Sequence, residues 1–272
     1  MLLALAFFAM AHAAEPGSRN VILSTTTSTL DSGLLDVLVP LFEKRSGYSV
    51  KPVSVGTGQA LALGAKGDAD VVLVHAPSWE KKYEAAGKLR NRRLVMYNDF
   101  VLIGPKNDPA KIRSVKSAAA ALRAIAAAKA SFVSRGDNSG THTLEIDLWK
   151  TAGLEPKGSW YIETGQGMGA TLGIANERNA YTISDRGTYL AFGKRVRLPI
   201  LLEGDGALLN IYSVLEVNPA NGPRVNSAGG KAFADFMVGP EAQKIIRTFG
   251  VKKLRHPLFV PAAGKKEHEL GA

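Results

Sequence analysis

The run Ser134-Arg135-Gly136-Asp137-Asn138-Ser139-Gly140-Thr141 gathers residue types that suit one kind of chemistry, the capture of a tetrahedral oxyanion. It lies between a short apolar strand signal, Ala130 to Val133, and a helical run, Thr141 to Ala152. A helix start offers backbone N–H groups without intrahelical partners and about half a positive charge. Ser139 and Thr141 add hydroxyl donors, and Arg135 adds a full charge with a forked donor pattern. Gly136 and Gly140 remove side chains where the backbone must approach an anion closely. The same string also reads as an ordinary capped helix after a polar turn.

Three more loops share this chemistry: Ser24 to Thr29 (STTTST), Val55 to Gln59 (VGTGQ) and Thr164 to Gly169 (TGQGMG). Each follows a strand signal and precedes a helical one, the position at which parallel α/β sheets bind ligands. Gln166 and Gly167 sit at a glycine-bounded helix start that would face the same cleft as Arg135. A buried dianion needs its oxygens satisfied, because uncompensated charge is very costly in a protein interior. Neutral donors from several helix starts spread that compensation, at roughly 1.5 to 3 kcal/mol for each charge-assisted hydrogen bond. Taken singly, each loop is also a plain N-cap. Together they outline a donor-lined cleft in which Arg135 need be the one positive side chain.

Other chemistries find less support. His75 ends the strand signal DVVLVHAP and His142 follows the anion loop, with Glu145 spaced for the same helix face. Either histidine could face the cleft, but a metal site needs a third ligand and none is evident. Ser139, His142 and Asp185 lack the G-x-S-x-G elbow of a hydrolase, and the histidine is three residues from the serine. The glycines at 56 and 58 and at 165, 167 and 169 do not complete a dinucleotide fingerprint. No catalytic residue is assigned, and the expectation is a binding protein rather than an enzyme. Asp185-Arg186, after a strand, could stabilise the lobe interface or orient the ligand shell, the structural salt bridge being the favoured reading, and Tyr181 and Met168 read as core residues.

The elements that must hold these loops alternate. Asn20 to Ser24, Tyr48 to Val55 and Asp70 to Val74 read as strands. A helix capped by the Ser28 to Asp31 box runs to Gly47, and further helices are expected at Gln59 to Ala65 and Trp79 to Ala86. Such alternation argues for an α/β fold with a largely parallel sheet. Two long extended segments, Leu94 to Gly104 and Leu208 to Val217, break the rhythm. Between them lie helices at Ser117 to Lys129, Thr141 to Ala152 and Gly167 to Glu177, and strands at Phe132-Val133, Trp160 to Glu163 and Tyr181 to Ser184. Helices Gly229 to Met237 and Pro240 to Phe249 follow. One economical arrangement is two α/β lobes joined by two crossing strands, residues 14–100 plus 211–272 in one and 101–210 in the other. Such lobes hinge over a ligand. A single doubly wound sheet with irregular insertions is the alternative.

Composition places the chain outside the cell membrane. Leu2 to Met10 is nearly all apolar and Ala11-His12-Ala13 is a small-residue cleavage pattern, so residues 1–13 read as a signal peptide. The usual basic n-region is missing, which points to an internal start. No later stretch is long and apolar enough to span a bilayer. The absence of cysteine excludes disulfides, thiolate metal sites and a lipid-modified N-terminal cysteine. The net charge of +10 lies in separated clusters without interleaved aromatics, which argues against a nucleic-acid groove.

At the level of whole strings the chain resembles the periplasmic tungstate-binding proteins of ABC transporters, a branch of the oxyanion-binding type II periplasmic binding proteins. The resemblance is carried by TTTSTLDSGLL (25–35), VGTGQAL (55–61), GDADVVLVHAP (67–77), VMYNDFVLIGP (95–105), SRGDNSGTH (134–142), WYIETGQGMGATL (160–172) and AYTISDRGTYLAF (180–192). It implies a type II two-lobe fold, no cofactor beyond the bound tungstate or molybdate, and delivery to an inner-membrane permease with its ATPase by a monomeric periplasmic protein. It also implies Arg135 and Thr141 as direct ligands from one lobe, facing Thr26 or Thr27 and the Thr57-Gly58 turn of the other. Phosphate-binding relatives share the Arg-x-Asp-x-Ser-Gly-Thr pattern, and in them the aspartate can accept a proton from hydrogen phosphate. Tungstate carries no such proton, so Asp137 would instead orient Arg135.

Overall fold

The computed structural model describes residues 18–254 and 257–270, so the signal peptide expected at 1–13 lies outside the described residues. The chain opens with β1 (Asn20–Thr26), α1 (Thr27–Asp31), α2 (Leu35–Ser46), β2 (Ser49–Val55), α3 (Thr57–Lys66), β3 (Val71–Val74), α4 (Pro77–Ala85) and β4 (Leu89–Ile103). A second series follows: α5 (Ala118–Ala127), β5 (Phe132–Ser134), α6 (Gly140–Thr151), β6 (Tyr161–Glu163), α7 (Met168–Arg178), β7 (Thr182–Asp185), α8 (Arg186–Phe192) and β8 (Ile200–Leu202). The chain then returns through β9 (Leu209–Val217) to α9 (Ser227–Val238), α10 (Pro240–Thr248), α11 (Val251–Leu254) and β10 (Val260–Pro261).

The first lobe is built on the strand order β10-β4-β9-β3-β1-β2. Strands β2, β1 and β3 are parallel, whereas β9 runs against both β3 and β4. The sheet is therefore mixed, its parallel part being the trio whose ends carry the polar loops. The second lobe pairs β5 with β6 in parallel and bridges Phe132 in parallel to Tyr181, which leads into β7. Its remaining strands join through β4: residues Phe100–Ile103 pair with β7, and Leu102 and Ile103 also with β8. The 15 residues of β4 span about 50 Å at roughly 3.3 Å each, long enough to serve both sheets in turn. Strand β9 pairs with β4 from Leu89 to Asp99, with two register shifts. These are the two crossing strands, so the fold is the two-lobe α/β arrangement rather than one doubly wound sheet.

Strand β3, VVLV, is wholly buried, as a central strand covered on both faces must be. Its alternation divides two cores. Val71 and Leu73 pack with Leu38, Phe42, Phe233 and Met237 under α2 and α9, while Val72 and Val74 pack with Ala60, Leu61 and Leu215 under α3. The second lobe repeats the device. Phe132 and Leu102 join Leu122, Leu148 and Trp149 on one face, and Val133, Val101 and Ile103 join Leu172 and Ala175 on the other.

The helix expected from Ser28 to Gly47 is two helices. Thr26, not Ser28, caps α1, accepting from the Thr29 amide at 3.3 Å. Gly33, at φ +77°, then turns the chain before α2, a conformation that only glycine adopts without strain. Gly47, where the helical pattern was expected to end, closes α2 in a left-handed cap at φ 73°. No described helix is long and apolar enough to cross a membrane.

Candidate functional site

Register brings the first wall together. Thr26 pairs with Val55 and Thr25 with Leu73, so the carboxyl ends of β2, β1 and β3 lie side by side. Their loops therefore place Gly56-Thr57, Thr26 to Ser28 and His75 along one edge. Within the threonine run the roles divide. Thr25 donates its hydroxyl into the sheet, to the Leu73 carbonyl at 2.8 Å. The Thr26 hydroxyl is a hub, 2.7 Å from Thr29 Oγ1, 3.2 Å from Ser28 Oγ and 3.2 Å from His75 Nε2. Thr27, the first residue of α1, is exposed. Thr57 starts α3, is fully buried, and its hydroxyl has no partner among the described residues. Gly58 has a packing reason, since a Cβ there would fall 2.7 Å from the Trp79 ring.

The second wall has the same design. The parallel strands β6, β5 and β7 end at Glu163, Ser134 and Asp185, followed by the TGQG loop, the Arg135 loop and α8. Arg135 is only 6% exposed. Its Nη2 donates to Asp137 Oδ2 at 2.5 Å and its Nε to the Gln166 carbonyl at 3.3 Å. Asp137 Oδ1 accepts from the Ser139 amide at 3.2 Å, so that carboxylate is engaged at both oxygens and fixes the guanidinium. Ser139 caps α6, accepting from the His142 amide, and Gly140 and Thr141 open the helix, both buried. Gln166 and Gly167 are exposed; Gly167 caps α7 and Gln166 supplies its carbonyl to Arg135.

The walls meet at His75. A Cβ on Gly140 would fall 2.5 Å from His75 Cε1 and 2.8 Å from Nδ1, so the start of α6 abuts the imidazole. Burial lowers the His75 pKa to about 4; nearby Asn210 offsets part of this and the Arg135 charge adds to it. The ring is therefore neutral at ordinary pH. Asp185 faces the same guanidinium. Burial pushes its carboxyl up, against hydrogen bonds from Thr188 and the attraction of Arg135. Its Oδ1 accepts from the Thr188 amide and hydroxyl at 2.8 and 2.9 Å, while Oδ2 is buried without a partner among the described residues.

The expected Asp185–Arg186 salt bridge does not form. Arg186 instead pairs with Asp99 of β4 at 2.7 Å and with Glu203 at 2.5 Å, while the Asp185 carboxylate is turned to Thr188 as the cap of α8. His142 is engaged within its own lobe: its Nδ1 accepts from the Asn138 amide, and Nε2 lies 3.9 Å from Glu163. Glu145 anchors α6, accepting from Trp149 Nε1 at 3.0 Å and the Tyr161 hydroxyl at 2.8 Å. Burial pushes its pKa to about 7. Among the described residues no three His, Asp or Glu gather as a cation site.

Beneath the walls lies a polar cluster on the crossing strands. Asn210 Nδ2 donates to Asn98 Oδ1 at 2.8 Å and to the Tyr212 hydroxyl at 3.0 Å, and Tyr212 stacks on His75 with centroids 4.7 Å apart. Its sequence signal is a set of polar residues inside the extended segments, MYNDFV and LLNIYSV. Ser28, Asn98, Asp185 and Tyr212 also border a cavity of about 870 Å³ that opens beside the donor cluster.

Residues 13–241 match the PBP superfamily domain. The chain is 45% identical over 275 aligned residues to the tungstate-binding protein TupA of Peptoclostridium acidaminophilum, covering 97% of this chain and 96% of that protein. The chain belongs to the tungstate-binding family of the PBP superfamily. Two solved structures are similar along nearly their whole length. The tungstate ABC transporter structure from Geobacter sulfurreducens is 54% identical with a TM-score of 0.73, covering 84% of this chain and 97% of that one. The tungstate-binding protein TupA from Desulfovibrio alaskensis G20 is 46% identical with a TM-score of 0.78, covering 90% and 99%.

Proposed function

We propose that this protein is an extracytoplasmic solute-binding protein that takes tungstate, or molybdate of the same shape and charge, between its lobes and delivers it to an ABC permease. The observation that carries this reading is Arg135: nearly buried, held by Asp137 and the Gln166 carbonyl, beside the start of α6 and facing the first wall. Around it we place Ser139, Gly140 and Thr141 from one lobe and Thr26, Thr57 and Gly58 from the other. The unpartnered Thr57 hydroxyl is the first-lobe donor with most to gain from an anion. Thr27, Gln166 and Gly167 complete the set from exposed rims. The lobes would comprise residues 14–100 plus 211–272 and residues 101–210, with export directed by residues 1–13. The protein would act as a periplasmic monomer, without cofactor or catalysis, the permease and its ATPase being its partners.

Phosphate is the competing ligand. Asp137 is engaged at both oxygens, which suits an anion that carries no proton. The unpartnered Asp185 Oδ2 is the carboxylate oxygen left for one that does. Titration calorimetry on the chain from Ala14, stripped of anion, separates the two. Tight tungstate and molybdate binding with weak phosphate and sulfate responses is expected. Tight phosphate binding without a tungstate response would overturn the assignment.

A further inference from the structure

We propose that His75 is the spacer that sets how far the two lobes close, and thereby which size of tetrahedral oxyanion the cleft accepts; this rests on the oxyanion reading above. The ring is 7% exposed and held from three sides. Its Nε2 lies 3.2 Å from Thr26 Oγ1 and 3.1 Å from Ser28 Oγ, at the end of the first-lobe sheet. One face stacks on Tyr212 of the crossing strand β9, with an interplanar angle of 29°. The Cε1–Nδ1 edge meets Gly140, the first residue of second-lobe helix α6, with no room for even a methyl group.

A ring braced from behind and touched in front is a mechanical stop. Repulsion between packed atoms rises steeply and interiors deform little, so such a stop defines the separation of two walls closely. Gly140 shares its short segment with Arg135, Ser139 and Thr141, while His75 is hydrogen-bonded to Thr26. The stop therefore fixes the gap between the two donor sets. Anions built on a heavy metal have longer bonds to oxygen than sulfate or phosphate and need the wider gap. A thinner residue at 75 lets the lobes close further and favours the smaller anions.

The test uses the chain from Ala14 with sodium tungstate and sodium sulfate, read by calorimetry, with circular dichroism to confirm folding. H75A is expected to lower the tungstate-to-sulfate affinity ratio at least tenfold. H75F, which keeps the ring but not Nε2, is expected to keep the ratio within threefold while binding both anions more weakly. G140A places a methyl against the ring and is expected to lose at least tenfold in tungstate affinity. The double variant H75A/G140A restores the space, and should bind tungstate more tightly than G140A alone. Additive losses in the double variant, or a parental ratio in H75A, would overturn the spacer while leaving the oxyanion reading intact. Should H75A not fold, a collapsed ratio in H75F still overturns it. A parent chain that binds neither anion overturns both.

Discussion

Arg135 shows what a single side chain contributes when its neighbours have already chosen its orientation. Nε and Nη2 are committed to Gln166 and Asp137 at once, and only a planar fork can meet both while presenting its remaining edge. Arg135→Lys is expected to weaken tungstate binding at least tenfold by calorimetry, about the loss of one charge-assisted hydrogen bond. Two buried groups set opposite pH trends in stability. His75 is held near 4, below its ordinary value, so the unfolded chain binds the extra proton between about 4 and 6.5, and stability rises with pH there. Glu145 is held near 7, above its ordinary value, so the folded chain binds the extra proton between 4.5 and about 7. Its contribution is complete below 4.5 and is lost as pH rises through 7. Glu145→Gln removes that loss. Relative to the parent, its thermal midpoint should improve from pH 5 to pH 8, by the equivalent of on the order of 2 to 3 kcal/mol. Arg135, Ser139 and Thr141 were legible in the sequence because a charge and two hydroxyls stand together before a helix. His75 was legible as a residue that could face the cleft and Asp185 as half of a salt bridge, but their actual partners, Tyr212 and Gly140 for the one and Thr188 for the other, come from what the fold places beside them.

Elements were legible where periodicity ran long and obscure where a turn decided the matter. The apolar runs of β3 and β4 and the amphipathic pattern up to Gly47 announced their elements. The Ser28 to Asp31 box misplaced a cap, because two hydroxyl residues two positions apart compete for one helix start and Gly33 then divides the helix. Strands β8 and β10, three and two residues long, went unread; β5 and β6 are as short as β8, but they lie between helical runs and lead into polar glycine loops that mark their ends. Thr26→Ala tests the observed cap. It should cost about 1 kcal/mol in denaturant unfolding and also weaken tungstate binding, because the same hydroxyl ties Ser28 and His75 into the wall. Ser28→Ala leaves that cap in place and removes only the contacts of its hydroxyl to Thr26 and His75, so it should cost less than Thr26→Ala in the same measurement.

At the scale of the whole molecule, the arrangement of two lobes followed from the two extended segments, but the mixed sheet did not. Nothing local in Leu209 to Val217 shows that it runs against β3, since strand direction is a property of connections rather than of residues. A ligand gripped by both lobes stabilises the folded state by mass action. At a hundredfold excess over its dissociation constant, tungstate should add about 2.7 kcal/mol and raise the midpoint by about 5 to 10 °C, as read by differential scanning fluorimetry against a sulfate control.

The lobes are linked by hydrogen-bonded strands, β4 and β9, and not by slack loops. Closure then resembles the twisting of a stiff ladder along one coordinate. Few backbone torsions lose freedom when the cleft shuts, and each torsion left free beforehand would have subtracted from the grip on the anion. A small, featureless ion with only four oxygens offers little contact energy in total. A connector with little conformational entropy to surrender adds little to the cost of stripping that ion of its water.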